Sequence, residues 1–326
     1  MTDHDSTATP DALHRFLLER AGVRGVLVRL DATWQTIRST SDYAGPVARL
    51  LGEATAAAAL FTGHAKVEGR LSVQMKGTGP LRTLFAECTA QGTLRGLAHA
   101  EDAVPACLSP RDLGEGAVLA ITIENQPAGA PEPQRYQGLV DLDADTLGDA
   151  FEGYFANSEQ LPTLLRLTAE GDTAAGLMLQ RLPGDHGDSD GWTRVGALLE
   201  TLRDDELRAL PAEQLLWRLF HEEDARLLAY TPLSFGCSCS RERVEAVLRG
   251  IGEEEALAAA ASGEAEIRCE FCGTAYRFDR GDIEALFGPA ATHPAPPGLQ
   301  RRLMDVLDRL DLDTQLIYVD DGSRDD

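Results

Sequence analysis

Hydrophobic and polar positions change their period several times along the chain, and each change predicts an element. After a polar tail, residues 1–10, DALHRFLLER (11–20) places Leu13, Phe16 and Leu17 on one helical face. RGVLVRL (24–30) is a β-branched run, and an Ala- and Leu-rich helical pattern extends from Pro46 to His64, with Pro46 suited to a first turn. The period then falls to two. LSVQMKG, TLFAECTA, LRGLAHAE, AVLAITIE and RYQGLVDL are short runs broken by Gly, Pro or Asn, the pattern of an antiparallel sheet. Helical spacing returns over Asp145–Asn157, where Leu147, Phe151, Tyr154 and Phe155 share a face, and LLRLTAE and AGLMLQRL add two strands. The fold class expected is α+β, with a mixed sheet-and-helix core domain over residues 11–183.

Beyond it, PGDHGDSD (183–190) has the composition of a linker, and residues 184–232 read as a charged, flexible or helical linker region. Its helical pattern, Trp192–Ala229 with a break at Pro211, carries an apolar stripe of Leu215, Leu216, Leu219 and Phe220 flanked by Arg218, Glu222, Glu223 and Asp224. Such a stripe is either packed on its neighbour as a helical hairpin or exposed on demand. A compact α/β module follows at 233–287. Residues 288–326 form a Pro/Ala-rich linker and an acidic extension, in which RLMDVLDRLDL (302–312) is a candidate amphipathic helix.

Charge narrows the partners. The 326 residues carry 30 Lys+Arg against 53 Asp+Glu, a formal charge of −23, which argues against coating nucleic acid because phosphate binding draws on Lys and Arg. The most apolar stretch, Ala54–Phe61, is far shorter than the roughly 20 residues of a bilayer span. MTDHDSTATPDALHRF has no basic n-region or apolar h-region, so a soluble, cytoplasmic protein without membrane partners is expected, its thiols reduced at rest.

The chemistry concentrates in four of the six cysteines. Cys237-x-Cys239, then 29 residues, then Cys269-x-x-Cys272 gives two tight thiol pairs separated by an insert able to fold: Ser240 can cap SRERVEAVLRG, Gly250 and Gly252 can end it, and Glu253–Glu255 suit a second helix start. Four thiolates fit the tetrahedral shell of one zinc ion per chain. Arg241, Arg243, Arg268 and Arg277 lie close enough in sequence to offset its negative charge. Three readings follow: a constitutive structural zinc in a protein-binding module, a thiol–disulfide oxidoreductase, or a redox switch. The oxidoreductase fits poorly, since the CxxC neither follows a strand in a βαβ unit nor stands alone. The switch rests on zinc keeping sulfur as the thiolate that oxidants attack, and on oxidation removing every ligand at once.

Elsewhere the sequence is quieter. Cys88 and Cys107 are expected to be small buried hydrophobes. His221-Glu222-Glu223 lacks the second histidine of a zincin, because position 225 is Ala, and reads as helix surface. GTGP (77–80) lacks the end of a phosphate loop and reads as a hairpin turn, and His14, His64 and His99 read as ordinary polar or core residues. No nucleophile–base–acid set stands out, so an enzyme is not expected.

FGCSCSRERVEAVL and CEFCGTAYRFD, together with RGVLVRL, SVQMKGTGPL (72–81), RGLA (95–98), QRYQG (134–138), DLDADTLGDAFEGYFANSEQLPT (141–163) and LWRLFHEE (216–223), resemble the heat shock protein 33 family over roughly residues 11–285. That resemblance implies an ATP-independent holdase chaperone, inactive when reduced and zinc-bound. Oxidants would form Cys237–Cys239 and Cys269–Cys272 disulfides with loss of zinc, and the activated form would bind unfolding client proteins and tend to dimerise. In this setting Leu215, Leu216, Trp217, Leu219 and Phe220 are the expected client-binding residues. The linker stands directly before the cysteine module in sequence, so unfolding of the module would deprive the stripe of a packing partner. The chain runs some 40 residues past the module, a departure from the family pattern that the resemblance leaves unassigned.

Overall fold

The computed structural model describes residues 11–65, 67–125, 133–184, 186–261 and 263–288. The chain divides into two units, the first ending at Gly236 and the second beginning at Cys237. The tail at 1–10 and the extension past residue 288 lie outside the described residues.

In the first unit the chain runs β1 (Ala12–Leu18), β2 (Val23–Leu30), α1 (Ala32–Arg38), α2 (Gly45–His64), β3 (Arg70–Lys76), β4 (Leu81–Thr89), β5 (Thr93–Ala100), β6 (Val118–Asn125) and β7 (Gln134–Val140). It continues with α3 (Leu147–Tyr154), β8 (Thr163–Glu170), β9 (Thr173–Arg181), α4 (Gly191–Glu200), α5 (Asp204–Ala209), α6 (Ala212–Phe220), β10 (Ala225–Pro232) and β11 (Ser234–Phe235). Two sheets result. One has five strands in the order β10-β1-β2-β9-β8, and the other six in the order β11-β5-β4-β3-β6-β7.

Helix α2 explains the architecture. It packs against both sheets, and Leu50, Leu51, Ala54, Ala57, Ala58 and Leu60 are all buried. A helix apolar all round belongs inside a core, and its alanines let the sheets approach closely. GTGP (77–80) forms the β3–β4 connection, as the sequence predicts.

Two helical expectations fail. DALHRFLLER is a strand, because β1 lies between β10 and β2 with both faces covered. Leu13 enters the α2 core while Phe16 and Leu18 enter the core on the other face, so the run has no polar side to reveal its period. Opposite Phe16 stands Gly25, where a Cβ would fall 2.1 Å from the Phe16 ring. The helical pattern also stops at Phe220 instead of reaching Ala229, since Ala225–Pro232 pairs antiparallel with β1. Nor is PGDHGDSD a free tether. Asp188 N–H donates to the Arg20 carbonyl at 2.8 Å, and Leu182 N–H to that of Gly22 at 2.9 Å.

The second unit contains α7 (Arg241–Ile251), α8 (Glu253–Ala259), the hairpin β12 (Glu264–Arg268) and β13 (Ala275–Asp279), and α9 (Arg280–Phe287). Ser240 Oγ accepts the Arg243 N–H at 3.3 Å and caps α7, and Gly252 ends that helix, with Gly250 still inside it. Val244, Leu248, Ala256, Ala260, Ala265, Phe278 and Ile283 make a small core, with the Arg241 guanidinium 4.2 Å above the Phe278 ring. A core of this size leaves room for a metal cross-link to contribute to folding.

Candidate metal centre

Both cysteine pairs sit on tight backbone that local bonds hold in place. Cys237 and Cys239 precede the α7 cap, and Arg243 donates to the Ser238 carbonyl between them. Cys269 and Cys272 lie in the β12–β13 turn, where Cys269 N–H donates to the Thr274 carbonyl at 2.9 Å and Gly273 N–H to the Cys269 carbonyl at 2.7 Å. Gly273 has φ +71°, a conformation that favours glycine.

The four Sγ atoms lie within 4.8 Å of one another. The Cys237–Cys269 separation is 3.6 Å and the Cys239–Cys272 separation 3.3 Å. A regular tetrahedron with metal–sulfur bonds of about 2.3 Å has edges of about 3.8 Å, so the residues fit a four-thiolate metal site, and the set is consistent with zinc. Crowded together as thiols, Cys237 and Cys239 resist ionisation. The Cys237 thiol is pushed up to about 12, first by its hydrogen bond with Cys269 and then by burial. That of Cys239 is pushed up to about 11, first by burial. A bound cation inverts this balance, because its charge stabilises every thiolate it touches.

Two neighbours escaped the sequence reading. Tyr276 Oη donates to Cys239 Sγ at 3.1 Å, and Cys272 Sγ hydrogen-bonds Thr274 Oγ1 at 3.2 Å. The hydrogen bond to Cys239 is the first cause of a raised Tyr276 phenol. The signal was the two-residue spacing of Thr274 and Tyr276 where CxxC runs into a strand, which places them on one face. Of the four arginines expected to offset the cluster, Arg243 donates to the Ser238 carbonyl in the first cysteine loop. Arg268 pairs with Glu266, Arg277 with Glu264 and Glu266, and Arg241 with Glu245 and Asp282.

The expected client-binding residues separate into two groups. Leu215, Leu216, Leu219 and Phe220 are buried with Phe16, Leu18, Leu27, Leu177 and Leu179 on the sheet face opposite α2, whereas Trp217 is 70% exposed. Helical spacing accounts for this, as positions 215, 216, 219 and 220 share a face and 217 lies off it. The seam beneath these helices is imperfect. A cavity of about 20 Å³ is lined by Ala12, His14, Leu27, Arg29, Leu207, Leu210 and Ala212, and the buried Arg29 Nε has no hydrogen-bond partner. Such a space holds about one water molecule.

Glu223 is not helix surface. It is fully buried and accepts from Arg194 Nε at 2.5 Å and from Nη2 at 2.9 Å, and Arg194 also contacts Asp188 and Asp190. These bonds tie the start of α4 to the end of α6. Cys88 is buried as expected, its thiol pushed up to about 12 by burial. Cys107 is instead exposed, 4.0 Å from Arg49 Nη2. His64 is a half-buried histidine, held down to about 4 by burial and accepting from Arg24 at 3.1 Å.

An α+β unit of two sheets followed by a small four-cysteine module defines a class of protein, and comparison with known chains identifies it. A family model described as Hsp33 protein matches residues 11–279. The chain belongs to the Hsp33 family. It is 42% identical over 278 residues to the 33 kDa chaperonin of Nitrosococcus oceani, covering 85% of this chain and 94% of that one. With the 33 kDa chaperonin of Pseudomonas fluorescens it shares 42% identity over 299 residues, 89% and 97% of the two chains. The crystal structure of the Thermotoga maritima 33 kDa chaperonin superposes with a TM-score of 0.71 at 20% identity, over 85% of this chain and 98% of that one, and shows the shared fold. Family membership supports a chaperone role. Among the described residues, no helix is long and apolar enough to cross a membrane.

Proposed function

We propose that this chain is a cytoplasmic, redox-regulated holdase that works without ATP. The observation that carries this reading is the convergence of all four cysteines within 4.8 Å in a module with a small core of its own. Cys237, Cys239, Cys269 and Cys272 would hold one zinc ion, which when bound keeps the sulfurs as thiolates and cross-links the loop before α7 to the β12–β13 turn. Oxidation to Cys237–Cys239 and Cys269–Cys272 disulfides converts all four donors into neutral sulfurs. The module then loses its cross-link and, with it, folding free energy on the order of 10 kcal/mol.

In the reduced fold the apolar stripe is covered by the unit's own sheet. The chain passes from Phe220 through β10 and β11 directly into Cys237, so disorder beginning at the cysteines has a short covalent path to the α4–α6 layer. On this reading residues 184–232 are the segment that reorganises. Leu215, Leu216, Leu219 and Phe220 become available to unfolded clients on release, alongside the already exposed Trp217. The −23 charge keeps the activated form soluble, and the newly exposed surface provides for a homodimer.

The test treats metal-loaded protein with hydrogen peroxide at mild heat, without ATP, and follows metal release and the aggregation of a chemically unfolded client. Released metal with suppressed aggregation supports the switch. Retained metal favours the constitutive structural site, the second reading, which the closeness of the thiol cluster to tetrahedral geometry also fits.

A further inference from the structure

The α4–α6 layer is inserted between two strands of one sheet, β9 and β10, and its two ends meet at the β1–β2 turn. Arg20 in that turn donates from Nε to the Asp188 carboxylate at 3.0 Å, just before α4, and from Nη1 to the Glu222 carbonyl at 3.2 Å, just after α6. Arg194, in the first turn of α4, closes the same junction. It reaches Asp190 at 2.8 Å, Asp188 at 3.2 Å, and Glu223 at 2.5 and 2.9 Å. Water serves these three acids unequally. Side-chain exposure is 70% at Asp190 and 44% at Asp188 but 1% at Glu223, so the first two bonds exchange for hydration at little cost while the Glu223 carboxylate depends on Arg194. One turn residue, Asp224 at φ +50°, separates Glu223 from the start of β10, and β10 leads through β11 to Cys237.

We propose that the Arg194–Glu223 pair is an autoinhibitory latch on the α4–α6 layer, closed by charge and released when β10 moves. This rests on the reading of that layer as the client surface. With the pair made, both ends of the layer are pinned to each other and to the β1–β2 turn, and Leu215, Leu216, Leu219 and Phe220 stay on the sheet. A displacement of β10 draws Glu223 off the guanidinium and leaves a buried carboxylate without its cation. Water entering the junction relieves that charge and peels the end of α6, with Phe220 three residues away, from its cover. The latch thus turns a movement at the strand into loss of apolar packing.

The test uses the full chain, reduced and metal-loaded, without oxidant, and reads hydrogen exchange peptide by peptide, metal content and the aggregation of a chemically unfolded client. Arg194→Met strands the Glu223 carboxylate, and opening of 191–220 should rise by about a hundredfold or more, with the metal retained and clients held. Combining Arg194→Met with Glu223→Gln removes the stranded charge and should bring opening back to within about tenfold of wild type, a reversal that lost packing would not show. Glu223→Gln alone keeps an oxygen for Arg194 and should open the layer by about tenfold, so the charge is read even where Arg194→Met lowers the yield of folded protein. Arg203→Ala, which breaks the exposed Arg203–Asp205 pair on the same layer, should change neither opening nor holding. Strands β3–β6 should stay protected in every variant. Unchanged exchange in Arg194→Met, a double variant as open as the single, or equal opening in Arg203→Ala overturns the latch while leaving the proposed function standing. A layer that opens in Arg194→Met and closes in the double variant, with no client held by the open form, overturns the layer as client surface and the autoinhibitory role with it.

Discussion

Replacing Phe220 by alanine perturbs the layer that the proposed function requires to move. The side chain is fully buried, its ring stacked on Phe16 at 6.4 Å between centroids and 25° between planes. Truncating a buried phenylalanine costs about 3–5 kcal/mol, against about 5–15 kcal/mol for the stability of a whole domain. The loss is local, because α2 fills the opposite face of the sheet and makes no use of Phe220. At about 1.4 kcal/mol per factor of ten, opening of the α4–α6 layer should rise by about a hundredfold to several thousandfold. Hydrogen exchange read peptide by peptide should show that increase across 191–220, with β3–β6 still protected. The same variant should suppress client aggregation before any oxidant is added. Trp217→Ser is the paired control, since its exposed side chain costs the fold little while removing a proposed client contact. Unchanged protection across α4–α6, equal loss of protection in β3–β6, or an opened layer that holds no client would each refute the reasoning.

Cys239→Ser should weaken metal binding by at least tenfold and abolish the first disulfide, read by chelator competition and thiol mapping; undiminished affinity would remove Cys239 from the donor set. Chelation of the reduced protein should unfold residues 237–288 while β3–β6 keep their exchange protection, and a module that stays protected would count against the metal as its cross-link. Glu53 predicts a pH dependence. Burial pushes its carboxyl from 4.5 up to about 7, against the opposing pull of Arg49 at 3.4 Å. Between those values the folded chain keeps a proton that the unfolded chain releases, so this contribution to stability is fully present below about pH 4.5 and is lost as pH rises through about 7. The rise is worth about 3 kcal/mol, and Glu53→Gln should flatten the fall in urea midpoint between pH 5 and pH 8; an identical fall in both proteins would contradict it.

The cysteine site was legible because four cysteines in two short pairs leave little geometric choice, and the α7 cap at Ser240 follows from local chemistry. Strands β3–β7 were legible from turn residues and period. The β1 strand was not, since covering it on both faces erased the alternation that distinguishes strand from helix. The C-terminal part of the charged linker was misread for a different reason: its pairing partner, β1, lies some 200 residues earlier in the chain, and no local pattern encodes so remote a contact. Glu223 looked like surface because a buried carboxylate is recognisable only with its partner Arg194 in place. The stripe itself was correctly seen as apolar. What the sequence left open was its cover, which the fold supplies from Phe16, Leu27, Leu177 and Leu179.

The claim at the centre of this account is that oxidation of the four cysteines frees the α4–α6 layer for clients. Hydrogen exchange of one metal-loaded sample, taken before and after peroxide at mild heat and matched to metal release and client aggregation over the same interval, tests it most directly. The account predicts that protection is lost at 237–288 and at 191–220 as the metal departs and holding appears, while β3–β6 remain protected. Metal loss and disulfide formation with α4–α6 still protected, yet clients held, would contradict it.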